Sequence, residues 1–547
     1  MGCCKCELEY SARVSPRPAV YADPVDGKEY CVFHAPKDKK HKALGSKDYY
    51  TVEEFNDLIF ALIDAVITRE QAGEKNAKSN LRHTVFPGDI SFSRYGKDNP
   101  LPRIDFSEAT FSGTTQFSSA MFSGLAGFFE ATFSGEAKFD KTMFSGMAEY
   151  VGTSFIGAAD FSHAAFTEKA MFNKTTFSSF AGFSNASFGA AAGFSNATFH
   201  DSAGFQEADF GGAAGFSNST FRCIGKFTGA KFGDVAGFGK ATFNGTAVFT
   251  DANFTRDASF VRAIFNADAQ FVGALFEGPV QFSSAEFFGK ANFHNAQLCK
   301  VARYYDARFN GVAVFTWARF EDEGKFRGAH FGAGANFRDM ETVKEGSLRM
   351  LNLNAISLGH LMFTSVEAPS FTFRNCDWPE HLGLEKHSGS EGPSLLELEE
   401  LYRAMKQRAD DDHDRPQVSH WHFREKLMAM RRGGNGIFEA VMLRLYYFTS
   451  GFGERPIRAG CCLAGLVALP LLIFAMAKLA STGLSLQLDS AAITEVFSDW
   501  QRALPLSKVP SEPLPSAWKL WAFYILQLLI ALQAALLGFA VRNRFRR

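Results

Sequence analysis

The chain has 547 residues, of which 60 are Phe against 13 Tyr and 6 Trp, a bias foreign to ordinary enzyme domains that directs attention to internal repeats. Its 57 basic and 58 acidic residues leave a formal charge of −1, which excludes any global pull toward nucleic acid or anionic lipid. Nine cysteines, an odd number gathered toward the two ends, exclude a disulfide framework, and the opening MGCCKCELEY has no apolar signal core, so the bulk of the chain is expected in the cytoplasm.

The first segment, residues 1–45, carries Cys3-x-x-Cys6 and Cys31-x-x-His34 with 24 residues between the pairs. A two-residue gap lets both ligands of a turn converge on one tetrahedral ion, so these four positions predict a structural zinc site, with Cys4 as an alternative first ligand. All four positions would be filled by protein, leaving no open site for water. Reduced thiols in a cytoplasmic tail are the simpler reading. Lipidation at Gly2 is disfavoured because Cys6 stands where that motif has Ser or Thr. In the next segment, 46–80, Phe55, Leu58, Ile59, Leu62, Ile63 and Val66 recur at helical spacing and predict a helix from Thr51 to Gln71, lying across an end of whatever follows.

From Phe106 to Phe337 phenylalanine recurs in alternating steps of five and six, a period of 11, and only Tyr150, Leu298 and Tyr304 interrupt 43 grid positions. Phe106, Phe111, Phe117 and Phe122 open this ladder, and Phe216, Phe221, Phe227 and Phe232 lie at its centre. A small residue, usually Ala, precedes most of these Phe residues by two. Helical periodicity would scatter the rings around an axis, and a long strand would turn alternate rings outward. A chain that turns a corner after each Phe keeps them all inside, with Ala where a corner has little room and Ser, Gly, Asn and Asp in the turns.

FSNASF, FSNATF, FQEADF and FTDANF in this segment resemble pentapeptide repeats. The resemblance implies a mainly β fold, a right-handed quadrilateral β-helix, here with about 22 residues per coil, roughly ten coils and a rod on the order of 50 Å long. Bulges are expected at the six-residue steps. Imperfect coils are expected on either side, at Phe86, Ile90 and Phe92 and between Leu348 and Phe373, so that the solenoid occupies residues 81–378. YCVFHAPKDKK is similar to the knuckle that precedes some repeats of this family, which implies structural metal.

Beyond Trp378, Glu385–Ser394 reads as a linker. Residues 395–450 read as a helical hairpin, with Leu396, Leu398, Leu401, Tyr402 and Met405 on one stripe, Trp421, Phe423, Leu427 and Met430 on the other, and Pro416 in the first turn of the second helix. His413, His420 and His422, near Asp410–Asp412, read as solvated faces. The last segment, 451–547, holds two apolar runs, 459–480 and 517–541, each long enough to cross a hydrocarbon core of about 30 Å. Trp518 and Trp521 suit an interfacial belt, and Gln527 and Gln533, six apart and so on different faces, suit bonds between helices. Arg455 and Arg458 before the first run, and Arg542, Arg544, Arg546 and Arg547 after the second, place both termini and the β-helix on the cytoplasmic side of a membrane crossed twice.

ELYRAMKQRADDDHD, HWHFREKLMAMRR and LRLYYFTSGFGERPIRAG are similar to the junction between repeats and membrane hairpin in bacterial membrane-anchored members, which implies the inner membrane. Some of those members end in a region similar to two-helix channels, but VFSDWQRALPLSKVPSEPLP contains no TVGYG-like filter. No phosphate-binding loop or catalytic constellation is present, so no enzyme activity is expected. The reading is a membrane-anchored scaffold whose partners are the bilayer and a protein on the rod surface, with zinc as its one cofactor. An oligomeric channel or membrane-perturbing effector is the alternative. A DNA mimic acting on topoisomerases is remote, because the rod lacks the strong acidity such mimicry needs, and no nucleic-acid partner is expected.

Overall fold

A computed structural model of the chain describes Lys5, residues 17–74 and 77–322, most of 324–336, short strands between 341 and 374, Glu385, 394–481 except 412, 434 and 435, 490–505, and 517–545. The chain divides into two compact units, the first almost wholly within residues 1–382 and the second within 383–547.

The first unit is a four-faced parallel β-solenoid. Its two-residue strands stack into ladders of 14, 12, 13 and 11 strands, one per face. Thr132–Phe133 pairs with Thr110–Phe111 on one side and Ser154–Phe155 on the other, so each residue meets its counterpart 22 positions away. Period-two alternation within each short face sends Ala and the following Phe inward together, as with Ala126 and Phe128, both fully buried.

The two step lengths are two different corners. Each five-residue step contains a tight turn in which Ala109 N–H, for example, donates to the Phe106 carbonyl over 3.0 Å. The third residue of that turn has positive φ at every eleventh position from Glu108 (59°) to Gly328 (69°), which identifies a type II turn. Gly occupies this position at 152, 229, 273 and 328, and Asn at 185, 196, 218 and 295. The strain elsewhere is offset by a ladder bond, as where Glu108 N–H donates to the Phe129 carbonyl over 2.7 Å. The six-residue step is a wider bend. No bulge results there, contrary to the spacing argument: the extra residue falls at the same place in every coil, so neighbouring strands stay paired one to one.

Ring spacing follows strand spacing. Phe194, Phe216 and Phe238 stack with centroids 4.8 Å apart and planes within 1°. Phe216 also meets Phe205 and Phe227 edge-on at 5.4 Å, at 88°. Quadrupoles favour that edge-to-face arrangement. Thr replaces the small residue of the repeat at several positions: Thr142, Thr153 and Thr175 donate to the carbonyls of Phe117, Phe128 and Tyr150, whereas the buried Thr115 hydroxyl has no hydrogen-bond partner.

The N-terminal end is closed by α1 (Val52–Gln71), started by a Thr51/Glu54 capping box. Its Phe55 meets Phe86 edge-on at 6.0 Å, and Phe86 stacks on Phe111 at 4.3 Å. Phe33 continues the series at 5.9 Å from Phe55. At the other end, strands Leu351–Asn354, Leu361–Met362 and Phe371–Arg374 extend two of the ladders, whereas Leu348, Ile356, Leu358 and Phe363 lie outside the described residues.

The second unit is helical: α2 (Leu395–Asp411), α3 (Arg415–Arg432), α4 (Ile437–Ser450), α5 (Pro456–Ser481), α6 (Ser490–Ala503) and α7 (Ala517–Phe545). The sequence reading merged α4 into the hairpin and had no helix at α6. Helices α2 and α3 pack through Leu398, Tyr402, Met405, Trp421 and Met428, with Tyr402 stacked on Trp421 at 5.6 Å. Leu396 points outward instead, 47% exposed. Glu385, read as linker, is buried: it accepts from Tyr402 over 2.6 Å and pairs with Arg424 and Arg431.

Candidate functional sites

At the N-terminal end of the solenoid a hairpin, β1 (Tyr21–Ala22) with β2 (Glu29–Tyr30), delivers Cys31 into a tight turn. His34 N–H and Ala35 N–H both donate to the Cys31 carbonyl, which brings the two predicted ligands to one side of that turn. Both residues are buried, and Cys31 Sγ lies 3.5 Å from His34 Nδ1. Two ligands of one tetrahedral zinc, with Zn–S near 2.3 Å and Zn–N near 2.0 Å, stand about 3.5 Å apart. The other ring nitrogen, Nε2, lies 3.1 Å from the Arg82 carbonyl. That partner holds a proton on Nε2 and leaves Nδ1 as the lone-pair atom, the usual outer arrangement around a metal-bound imidazole. The donor pair therefore fits zinc. Cys3, Cys4 and Cys6 lie outside the described residues, and among the described residues no group of three or more His, Cys, Asp or Glu converges.

Lys40, which the sequence reading passed over, fixes this turn. Its buried Nζ donates to the carbonyls of Val32, Phe33 and Ala35 and lies 4.4 Å over the Phe55 ring. Burial pulls its pKa down to about 7, with the nearby Cys31 acting the other way. A single Lys nine residues after a Cys carries no periodic signal.

In the solenoid, Phe106, Phe111, Phe117, Phe122, Phe216, Phe221, Phe227 and Phe232 are all fully buried. Tyr150 and Tyr304 hold ladder positions with hydroxyls that have no hydrogen-bond partner, and burial drives both pKa values far up.

In the helical unit the predicted polar positions of α7 each meet a different neighbour. Gln527 Nε2 donates to the Arg502 carbonyl at the end of α6 over 2.7 Å. Gln533, 3% exposed, donates to the carbonyls of Thr449 and Ala459, where α4 ends and α5 begins. Both amides thus satisfy carbonyls at helix ends or in a first turn. Trp521 is 69% exposed, and Trp518 lies in the first turn of α7. The corner between α4 and α5 is held by Phe452, fully buried among Phe423, Tyr446 and Tyr447.

Helix α6 supplies further contacts. Trp500 Nε1 donates to the Val467 carbonyl over 2.7 Å, beside Pro470, the helix-interior proline of α5. Lys519 bonds Asp499 over 2.7 Å, and Glu495 pairs with both Lys519 and Lys478. Lys478 and Lys519, near the facing ends of the two apolar runs, were the available signal that an acidic element lies between them. His420 and His422 are half-buried rather than solvated, and burial lowers the His422 pKa.

The family described as Pentapeptide repeats (9 copies) matches residues 227–275. No curated protein matches the chain. α5 and α7 contain stretches, Pro456–Ala480 and Lys519–Arg542, long and apolar enough to cross a membrane. The matched repeats share their corners, registers and ring stacks with the coils on either side, so residues 227–275 are similar to pentapeptide repeats within a longer Phe-rich β-solenoid, which is followed by a helical unit with two long apolar helices.

Proposed function

We propose that the protein is a membrane-anchored scaffold, in which α5 and α7 hold the chain in the inner membrane and the outward side chains of the solenoid present a docking surface to a protein partner on the cytoplasmic side. The observation that carries the anchoring is the outer surface of these helices. Leu472, Met476, Trp521, Leu528 and Leu532 are between 59% and 71% exposed, a contiguous apolar surface that a water-soluble unit would bury. The solenoid supports the scaffold role because its interior is filled by rings and its variable residues all point outward. Alkaline carbonate extraction of membranes carrying the full chain is expected to leave it in the pellet; release into the supernatant would refute the anchor.

The N-terminal turn supports a structural zinc held by Cys31 and His34 with Cys3 and Cys6. Bound zinc would tie the first residues to the solenoid end, a folding role that needs no open coordination position. Purified protein is expected to contain about one equivalent of zinc per chain, and Cys31→Ser to lose it; a metal-free wild type would end the reading.

A further inference from the structure

Taken on the reading that α5 and α7 cross the bilayer, the geometry of α6 fixes its depth. A Cβ placed on Gly460 of α5 would stand 3.9 Å from Leu537 of α7, and Lys478 and Lys519 share Glu495, so the two long helices run antiparallel with those lysines at a common end. Helix α6 starts at that end. Seven residues after Glu495 its Arg502 carbonyl is bonded by Gln527, which stands eight residues along α7 from Lys519, about 12 Å at 1.5 Å per residue. Trp500 reaches the carbonyl of Val467, close to the middle of Pro456–Ala480. Two independent contacts therefore place the C-terminal end of α6 near the centre of the spanning pair. Its inner side is packed on Phe474, Phe523 and Leu526.

The outer side of α6 carries a polar strip beside the half-exposed Ile493 and Phe497. Thr494, Ser498 and Gln501 recur at helical spacing on a face away from α5 and α7, with Thr494 and Gln501 exposed. The two hydroxyls bond back to the carbonyls of Ser490 and Glu495. Among the described residues, nothing bonds the Gln501 amide. The charges nearby are neutralised within the chain, since Asp499 pairs with Lys519 and Arg502. An uncovered amide near the bilayer centre is costly in hydrocarbon, and such groups persist where protein or water meets them. A Gln amide both donates and accepts, so it is complementary to its own symmetry mate in another copy.

We propose that α6 is a re-entrant half-helix whose Thr494–Ser498–Gln501 strip is an interface with further copies of this chain, the copies together enclosing a water-filled cleft that runs from the Lys478/Lys519 side to the bilayer midplane. Two long helices and one half-helix cannot enclose such a cleft alone.

The test uses the full chain in membrane vesicles with all nine native cysteines replaced by Ala as background and Gln501→Cys added. With a membrane-impermeant maleimide admitted to both sides by freeze–thaw, the thiol at 501 is expected to react, and mild oxidation is expected to give a disulfide-linked dimer as the main species. Ile493→Cys, on the flank of the strip, is expected to remain monomeric. Thr494→Cys, nearer the surface, should behave as Gln501→Cys does and serves if that variant does not accumulate. A thiol at 501 that is unreactive, or reactive but monomeric after oxidation, overturns the proposal. Carbonate extraction of the same vesicles separates this outcome from failure of the membrane reading, because a chain released by carbonate was never spanning.

Discussion

The two units solve the problem of a stable interior in opposite ways. In the solenoid nearly every inward atom is carbon, and order comes from one ring repeated along each face at the spacing of the strands. In the helical unit, single polar groups join one element to the next: Gln533 to the α4–α5 corner, Gln527 to the end of α6, Trp500 to α5, Lys519 to Asp499. The difference is instructive about tolerance. A periodic apolar core distributes its stability over many equivalent contacts, whereas a structure joined by individual bonds places it in a few side chains.

A set of substitutions probes this contrast, from the largest expected effect downward. Phe216→Ala removes a ring with stacked and edge-on partners and is expected to cost about 3 to 5 kcal/mol in chemical denaturation of the solenoid; a cost below about 1 kcal/mol would contradict the inward ladder. In the helical unit, Glu385→Ala leaves the buried Arg424 guanidinium without its nearby carboxylate and is expected to cost about 3 kcal/mol, measured by thermal unfolding in detergent. Replacing both partners, Glu385→Leu with Arg424→Met, should cost less than the single change, because no uncompensated charge remains. Gln533→Leu strips the donor from two carbonyls and should lower the unfolding midpoint by an amount equivalent to about 1 to 2 kcal/mol, with Gln527→Leu nearer 1. The smallest effect has the opposite sign. Tyr150→Phe removes an unbonded hydroxyl from a dry core and is expected to stabilise the solenoid by about 1 kcal/mol; a loss of stability would mean that the hydroxyl has a partner such as water.

The same contrast explains what could be read from the sequence. The Phe grid is legible because the constraint is periodic: each ring occupies an equivalent site, so 11-residue spacing carries the four faces without any tertiary information. Pro416 early in α3 was legible because its effect acts within one turn. Corner geometry was only half legible, since spacing gives the extra residue of the six-residue step but not that its recurrence in every coil keeps the register intact. Helix α6 escaped notice because its stretch is neither apolar enough for a span nor bounded by strong caps, and its partners lie up to 33 residues away. The proximity of Cys31 and His34 was implied by their spacing, but the Arg82 carbonyl that orients the ring belongs to a different part of the chain, 48 residues on.

The recurrence of the type II turn every 11 residues, when the ladders repeat every 22, has one more consequence. Half a coil is equivalent to the other half, so the rod carries an approximate two-fold screw axis along its length. Gain or loss of one 11-residue half-coil by unequal recombination would bring the Phe106 face onto the Phe117 face with turns still over turns and bends over bends. The ladder would close again, and whatever follows would emerge half a turn around the rod. A change of five or six residues would instead set turns against bends. The natural quantum of length variation in this solenoid is therefore the 11-residue pair, even though its structural coil is twice as long.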